Sequence, residues 1–398
     1  MIHDALARMA EAALRLRMAI GGSDTLAQRL VRDRIPDPAA IWVHGASVGE
    51  LTSARTVIEA LASAHPLIVT ANSVTGRDMV QGWGIPARLA PLDVPGALQS
   101  FLTATRPCLA VTIENEFWPL RSRMLADAGV AQAMIGARIS ERSWRRWRRM
   151  RGIIAPMLAR IDALSAQDAG SEDRLLALGL RPGTVVPRLD LKLLTPASVV
   201  PPPEDAARDR TILAASTHEG EDAAILDAFA TTRGATRLIL APRHPRRAPE
   251  IMALIRERGI PATQRSLGAD SPPEGGVLLA DTLGEMPRWY AAAGICIIGG
   301  TIVDHGGHTP WEPAAHRCAL LRGPHIGNFT EGFAALRDCT LPFEAAALQQ
   351  LLDDAPRRRA MGQAARDVLD ARAGDQAGLV ARLSDLAKTG PRPDMSLR

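Results

Sequence analysis

Ten short β-prone runs punctuate this chain, and helical stretches of roughly 10–15 residues fit between most of them. In the first half the runs lie near Ala40–Val43, Leu67–Thr70, Leu109–Ile113, Gln132–Ile135 and Ala163–Ser165. In the second half they lie near Thr211–Ala214, Arg237–Ala241, Gly276–Leu279, Ile295–Ile298 and Ala319–Leu321. Consecutive parallel strands need a crossover, and a helix is the usual one, so this alternation predicts an α/β fold with parallel sheets covered on both faces. The tract "TPASVVPPPEDAARDR", Thr195 to Arg210, breaks the rhythm. Three consecutive prolines fit neither a helix interior nor a central strand. The organisation expected is therefore a Rossmann-like domain over 1–195, a linker over 196–210, and a second Rossmann-like domain over 211–398. Two such sheets facing across a cleft would bind ligand at the C-terminal ends of their strands. The charged helical stretch from about Ala355 to Lys388 is expected to pack back across the domains.

At 398 residues and 46% hydrophobic content the chain can bury two cores. Its net charge of +4 suits an anionic small molecule, a lipid surface or nucleic acid, and does not choose among them. The four cysteines form no C-x-x-C pair, which speaks against a zinc ribbon or a disulfide framework and for a reducing cytoplasm. No stretch approaches the roughly 18–20 apolar residues of a membrane span. In the N-terminal stretch Arg15 and Arg17 interrupt what a signal peptide would need. Ile2, Leu6, Met9, Ala13, Leu16 and Ile20 recur there at helical spacing, as in a helix packed on its own domain or lying on a membrane surface.

The loop after the first strand reads "HGASVGE" and contains G-x-S-x-G. A hydrolase elbow belongs several strands into the fold, with the loop completing its oxyanion hole upstream. Here nothing upstream supplies that loop, so Ser47 is not read as a nucleophile. Gly45, Ala46, Ser47 and Gly49 instead let backbone approach a ligand. Ser47 and Glu50 have capping-box spacing. Glu50 is also placed for acid–base work, and a helix N-terminus is expected to keep its pKa low.

In the second half, Ser216, Thr217 and His218 in "AASTHEGED" offer an anion or nucleotide contact. "LAPRHPRR" gathers Arg243, His244 and Arg246 at a strand end, where Arg can pair with phosphate or carboxylate. In "LADTLGEMPRWY" the backbone amides of Gly284, Glu285 and Met286 are candidates for a phosphate. "IIGGTIVDHGGHTPWEPAA" brings Gly306, Gly307, His308, Thr309 and Glu312 into one dense segment, where Glu312 could accept from two ribose hydroxyls. There is no usable G-x-G-x-x-G, no P-loop, no D-x-D and no metal-ligand spacing, so no metal and no cofactor is expected.

Taken in order, "HGASVGE", "TANSVTGRDM", "LAPLDVPGALQSFL", "IENEFWP", "ARISERS", "LSAQD", "AASTHEGE", "APRHPRR", "DTLGEMPRWY" and "GGTIVDHGGHTPWEPAA" resemble the bacterial 3-deoxy-D-manno-octulosonic acid (Kdo) transferases, from about Trp42 to Phe329. The resemblance implies a GT-B fold and an inverting, metal-independent transfer of Kdo from CMP-Kdo to a lipid A precursor. It implies Glu50 as catalytic base and Glu116 as a second acid at the reaction centre. Arg243, Gly284–Met286 and Glu312 match CMP-binding positions, while Ser47, Gly49, Arg138 in "ARISERS" and Lys192 in "LDLK" fall within the substrate-binding motifs. Thr309 and Gly136 each stand where the family usually has Asn, and Leu189-Asp190 where it has Gly-Asn. The apolar anchor with which members commonly begin is not seen. These departures leave open a paralogue using another nucleotide sugar or acceptor, and beyond it an inactive lipid-binding or scaffolding member.

"RSWRRWRRMR", Arg142 to Arg151, carries six arginines and two tryptophans. Arg145, Arg146, Arg148, Arg149, Trp144 and Trp147 are read as an interfacial patch against anionic lipid, with a solvated helix face or an RNA strip as the alternatives. On the preferred reading no nucleic acid is a partner, and the protein is cytoplasmic, peripheral on the cytoplasmic face of the inner membrane.

Overall fold

Runs of Ile, Val, Leu and Ala become strands because helices on both faces of a parallel sheet remove both sets of side chains from water. The computed structural model describes residues 2–21, 23–35, 38–233 and 236–389, with side chains throughout except at residues 2–8, 10, 17 and 19. It forms two compact units, Met1–Thr195 with Ala373–Arg398, and Pro196–Arg372.

In the first unit the strands are β1 (Ile41–Gly45), β2 (Leu67–Ala71), β3 (Ala87–Leu89), β4 (Leu109–Ile113), β5 (Ala131–Ala137) and β6 (Ala163–Ala166). They lie in the order β3-β2-β1-β4-β5-β6, all parallel. β1 and β2 are buried at every position. One layer of the core is built on Trp42, Leu98, Phe101 and Leu102, with the Trp42 and Phe101 rings 4.5 Å apart. Burying each such side chain stabilises the fold by roughly 1.5–3 kcal/mol. The helix Gln376–Lys388 packs on the helix Arg55–Ala64 and on β4 and β5, so it groups with this unit and not with residues 211–372.

The second unit holds β7 (Thr211–Thr217), β8 (Arg237–Pro242), β9 (Ala262–Gln264), β10 (Val277–Leu279), β11 (Ile295–Ile298), β12 (Ala319–Arg322) and β13 (Thr340–Pro342). Their order is β13-β12-β11-β7-β8-β10-β9, again all parallel. Residues 196–210, expected as a linker, group with this unit. A helix Leu191–Ala197 crosses the boundary, and a short helix Ala206–Asp209 is capped by Asp205, whose Oδ1 accepts from Arg208 N at 2.7 Å.

Strand order reverses next to β1 in the first sheet, between β1 and β4, and next to β7 in the second, between β7 and β11. The crevice at the carboxyl ends of such strand pairs is where open α/β sheets bind ligands. Among the described residues no helix is long and apolar enough to cross a membrane.

Candidate active site

Glu50 and Glu116 emerge from the two strands that flank the first switch point. β1 ends at Gly45, where a Cβ would meet Leu51 Cδ2 at 2.8 Å, so the strand end and the next helix pack more closely than any other residue allows. Ser47 caps the helix Val48–Ser53, its Oγ accepting from Glu50 N at 3.2 Å. The Glu50 carboxylate turns back, accepting from Ala46 N at 2.6 Å and from Ser47 Oγ at 3.1 Å. Capping and display at the strand end are thus one arrangement. Ser47 Oγ is spent on this cap, which removes it further from a nucleophile's role.

The expected low pKa of Glu50 is corrected. Its pKa is raised, first by burial and then by the charges of Glu114 and Glu116, against the pull of the Ala46 amide and Ser47. Glu50 lies in the first turn of the helix, but the cost of burying its charge exceeds the pull of the local donors.

After β4 the chain takes a left-handed turn at Glu114 (φ 55°), whose N donates to Ile135 O at 2.9 Å. A non-glycine residue held there costs of order 1 kcal/mol or more, and such strain gathers at functional sites. Glu116 follows. Its Oε2 accepts from Trp118 Nε1 at 2.6 Å and lies 3.7 Å from His44 Nε2. Its pKa is lowered, chiefly by His44, with Trp118 and Arg121 adding to the effect and burial opposing it. Two neighbouring carboxylates are therefore pushed in opposite directions, the pattern that separates acid–base roles. Arg138, whose N donates to Asn115 Oδ1, and Lys192 both expose their side chains.

Gly136 adopts φ 61°, and a Cβ there would meet Leu191 Cδ1 at 2.5 Å. Leu189 is buried, and Asp190 Oδ1 accepts from Lys192 N at 3.1 Å. Gly136 thus lies against Leu191, next in the chain to the departing Leu189-Asp190 pair.

At the second switch point the chemistry is cationic and imidazole-rich. Ser216 is left-handed (φ 59°) where β7 bulges, and Thr217 Oγ1 donates to the buried Asp222 at 2.6 Å. Arg247 pairs with the same carboxylate. His218 Nε2 and His308 Nε2 share a hydrogen bond of 2.9 Å, and the His305 ring stacks on His218 with centroids 4.2 Å apart. His244 meets His218 edge-on at 6.1 Å. Burial, His218 and the Arg243 charge lower His308 to about 4, so it is neutral at physiological pH. Arg243 is exposed, with its N donating to Thr217 O at 3.0 Å. Gly306 and Gly307 are both left-handed, and Gly307 N donates to Gly300 O at 2.7 Å. Thr309 Oγ1 accepts from Trp311 N at 3.3 Å. Glu312 accepts from the buried Tyr290 hydroxyl at 3.1 Å through Oε2.

Glu285 places its carboxylate elsewhere: Arg265 grips it with two nitrogens and Thr282 adds a hydrogen bond, holding its pKa at about 2. What remains for a ligand at Gly284–Met286 is backbone, with Gly284 exposed and left-handed. Among the described residues no group of three or more His, Cys, Asp or Glu is arranged to hold a metal ion.

The basic tract forms the helix Glu141–Arg149. Trp144 and Trp147 are partly buried: both pack against the core, and Trp147 meets Phe117 edge-on at 5.5 Å. Arg145, Arg146, Arg148 and Arg149 stay outside. In the N-terminal helix Ile2–Gly21, Met9, Leu16 and Ile20 are 69%, 63% and 79% exposed; the side chains of Ile2 and Leu6 lie outside the described residues.

Three residues that shape the site were not singled out by sequence. Glu221, fully buried, accepts from His218 N, Gly300 N, Ile302 N and Val303 N, and so ties the loop after β7 to the loop after β11. His44 backs Glu116, and Tyr290 backs Glu312. The signals were faint: an acid three residues after His218, one polar side chain in an apolar strand, and the chain's single tyrosine.

Two parallel Rossmann-like sheets define the GT-B class, shared with nucleotide-sugar enzymes. The chain is similar to the UDP-N-acetylglucosamine 2-epimerase of Neisseria meningitidis (TM-score 0.52, 12% identity, 86% of this chain and 99% of that one). It is also similar to MurG of Acinetobacter baumannii (TM-score 0.50, 10% identity, 87% and 98%). Such identities speak for the fold alone. The family is settled by sequence. Residues 24–195 match the model of 3-deoxy-D-manno-octulosonic-acid transferase (kdotransferase). The 3-deoxy-D-manno-octulosonic acid transferase of Bordetella pertussis is 34% identical over 375 residues, 86% of each chain, and that of Haemophilus influenzae 29% identical over 377 residues, 89% of this chain and 87% of the relative. The chain belongs to the Kdo transferase family of glycosyltransferases.

Proposed function

We propose that this protein transfers Kdo from CMP-Kdo to a hydroxyl of a lipid A precursor, with inversion and without a metal. The observation that carries the reading is the pair Glu50 and Glu116, half-buried at one switch point with pKa values driven apart. The acceptor hydroxyl attacks the anomeric carbon of Kdo, its proton passes to Glu50, and the bond to CMP breaks on the opposite side. A base of raised pKa holds that proton better than an ordinary carboxylate. Glu116 stays anionic beside it and stabilises positive charge developing on the sugar ring. The leaving phosphate is met by Arg243 and the backbone amides of Gly284–Met286, and a ribose by Glu312, charges and donors that do the work a metal would otherwise do. Ser216, Thr217, His218, His308 and Thr309 complete the donor loops.

A lipid acceptor requires a membrane. The exposed arginines of the helix Glu141–Arg149 and the apolar Met9, Leu16 and Ile20 favour peripheral docking of the first unit on an anionic surface, the cytoplasmic face of the inner membrane. Each arginine would add about 1 kcal/mol. Replacing Arg145, Arg146, Arg148 and Arg149 by Gln should weaken sedimentation with anionic vesicles; undiminished sedimentation removes the docking proposal.

The test of the activity is direct. Incubation with CMP-Kdo and a lipid A precursor should give a product heavier by one or more Kdo residues. Calorimetry should show binding of CMP over UDP, and a preference for UDP would point to a paralogue with another donor.

A further inference from the structure

Behind Glu116 stands a hydrogen-bond relay that favours one position for the His44 proton. Trp42 Nε1 donates to Thr70 Oγ1 at 2.8 Å. An indole nitrogen only donates, so the Thr70 hydroxyl is an acceptor in that bond and keeps its own hydrogen for another partner. Two acceptors are in reach, His44 Nδ1 at 2.9 Å and Val43 O at 3.4 Å. The shorter contact makes Nδ1 the better acceptor, and a neutral imidazole with Nδ1 bare carries its proton on Nε2. That Nε2 is buried, has no hydrogen-bond partner within reach, and lies 3.7 Å from Glu116 Oε2. The opposite tautomer would turn a bare lone pair toward a carboxylate, which repels it.

We propose that His44, fixed as the Nε2–H tautomer by Thr70 and Trp42, is a positioning residue that holds the Glu116 carboxylate in place and in its anionic form. The inference rests on the reading that Glu50 and Glu116 serve the transfer. Burial, with the Arg121 cation adding, holds the His44 imidazole down to about 4, so it stays neutral across the working range and acts as a dipole, not a cation. Contacts of this kind are often long without substrate and tighten in the reacting complex. The charged groups around the pair are Glu50 and Glu114 on the strand-end side, and Arg121 with Asp93 on the other. Arg121 is itself buried, stacked over the Trp42 and Trp118 rings, with Asp93 Oδ1 accepting from its backbone N. A Glu116 that stays charged keeps proton affinity high at Glu50.

The test uses full-length protein, CMP-Kdo and a lipid A precursor in detergent micelles. His44→Phe removes the donor. It should lower kcat about tenfold or more with KM for both substrates within about twofold, and move the acid limb of the kcat–pH profile upward, because Glu116 then takes a proton at higher pH. His44→Gln, which returns an N–H near the Nε2 position, should recover most of the rate. Thr70→Val touches neither carboxylate and should shift the acid limb in the same direction by less. Long-range proton–nitrogen spectra, assigned with His44→Gln, should show His44 as the Nε2–H form. A His44 proton on Nδ1, or wild-type profiles in His44→Phe and Thr70→Val, overturns the proposal. If His44→Phe does not fold, the spectrum and Thr70→Val decide. Glu50→Gln is run alongside: activity surviving there refutes the underlying reading, whereas its loss combined with an Nδ1–H His44 refutes only the relay.

Discussion

The two switch points share a topology and carry opposite chemistry. In the first unit the loops after β1 and β4 present the carboxylates Glu50, Glu114 and Glu116, and one buried imidazole stands behind them. In the second unit the loops after β7, β8 and β11 present His218, Arg243, His305 and His308, and two buried carboxylates, Glu221 and Asp222, stand behind them. Each site is backed by the group the other displays. Topology chooses where a ligand can sit, and the side chains choose what it is: in the function proposed above, a proton donor at one crevice and an anion at the other.

The comparison breaks first at Glu50. Glu50→Gln keeps the cap's acceptor oxygen and loses the base, so kcat should fall roughly a hundred- to ten-thousand-fold. CMP affinity, measured by calorimetry, should be unchanged because the proposed anion site lies in the other unit. Equal losses in both would mean that the two crevices do not divide the work. Glu221→Ala comes next. It leaves the His218, Gly300, Ile302 and Val303 amides without their acceptor. The cost should be about 3 kcal/mol, seen as a lower Tm by roughly 10 °C, with weaker CMP binding. A melt within 2 °C or so of wild type would show that water replaces the carboxylate.

Much of this frame was legible in the sequence. All ten expected strands form, because short, mostly apolar runs bounded by turn and helix signals leave little else to build. The three missed ones, β3, β9 and β13, have three residues each and lie at sheet edges. Edges are kept short as a defence against mispairing, and so short a run has no period to detect. Glu50 and His308 were legible beside glycines in strand-end loops, and Glu116 through the family motif that carries it. His44, Glu221 and Tyr290 were not, since each acts through a partner 72, 79 to 82 or 22 residues away that only the fold supplies. The direction of the Glu50 shift was misjudged for the same reason: the helix N-terminus is a local feature, while burial and the Glu114 and Glu116 charges come from a strand more than sixty residues on.

Imidazoles separate the units in a third, smaller way. An unfolded histidine titrates near 6.5, and His308 in the folded chain resists protonation down to about 4. Between those values the unfolded chain binds a proton that the native chain refuses, so stability falls as pH drops below about 6.5 and is unaffected above it. His308→Gln should therefore narrow the Tm difference between pH 7 and pH 5 by about 1–2 °C, a modest figure because the ring is only partly buried and solvent screens it. An unchanged difference would mean that His308 titrates normally.

The smallest effect falls on Tyr290, and it asks whether the second crevice recognises a ribose at all. Tyr290 is buried and donates to Glu312 Oε2, which leaves Oε1 and the remaining lone pairs for a ligand. Burial and the Glu312 charge raise the phenol's pKa well above normal, so it remains a donor at any working pH. Tyr290→Phe removes one hydrogen bond of about 1 kcal/mol and frees the carboxylate to turn, so CMP should bind roughly threefold to tenfold more weakly. Deoxy-CMP lacks a hydroxyl that the carboxylate would accept from, and against it the same substitution should cost less. If calorimetry shows equal losses for both nucleotides, Glu312 is not reading the sugar, and its place beside Tyr290 is a matter of packing.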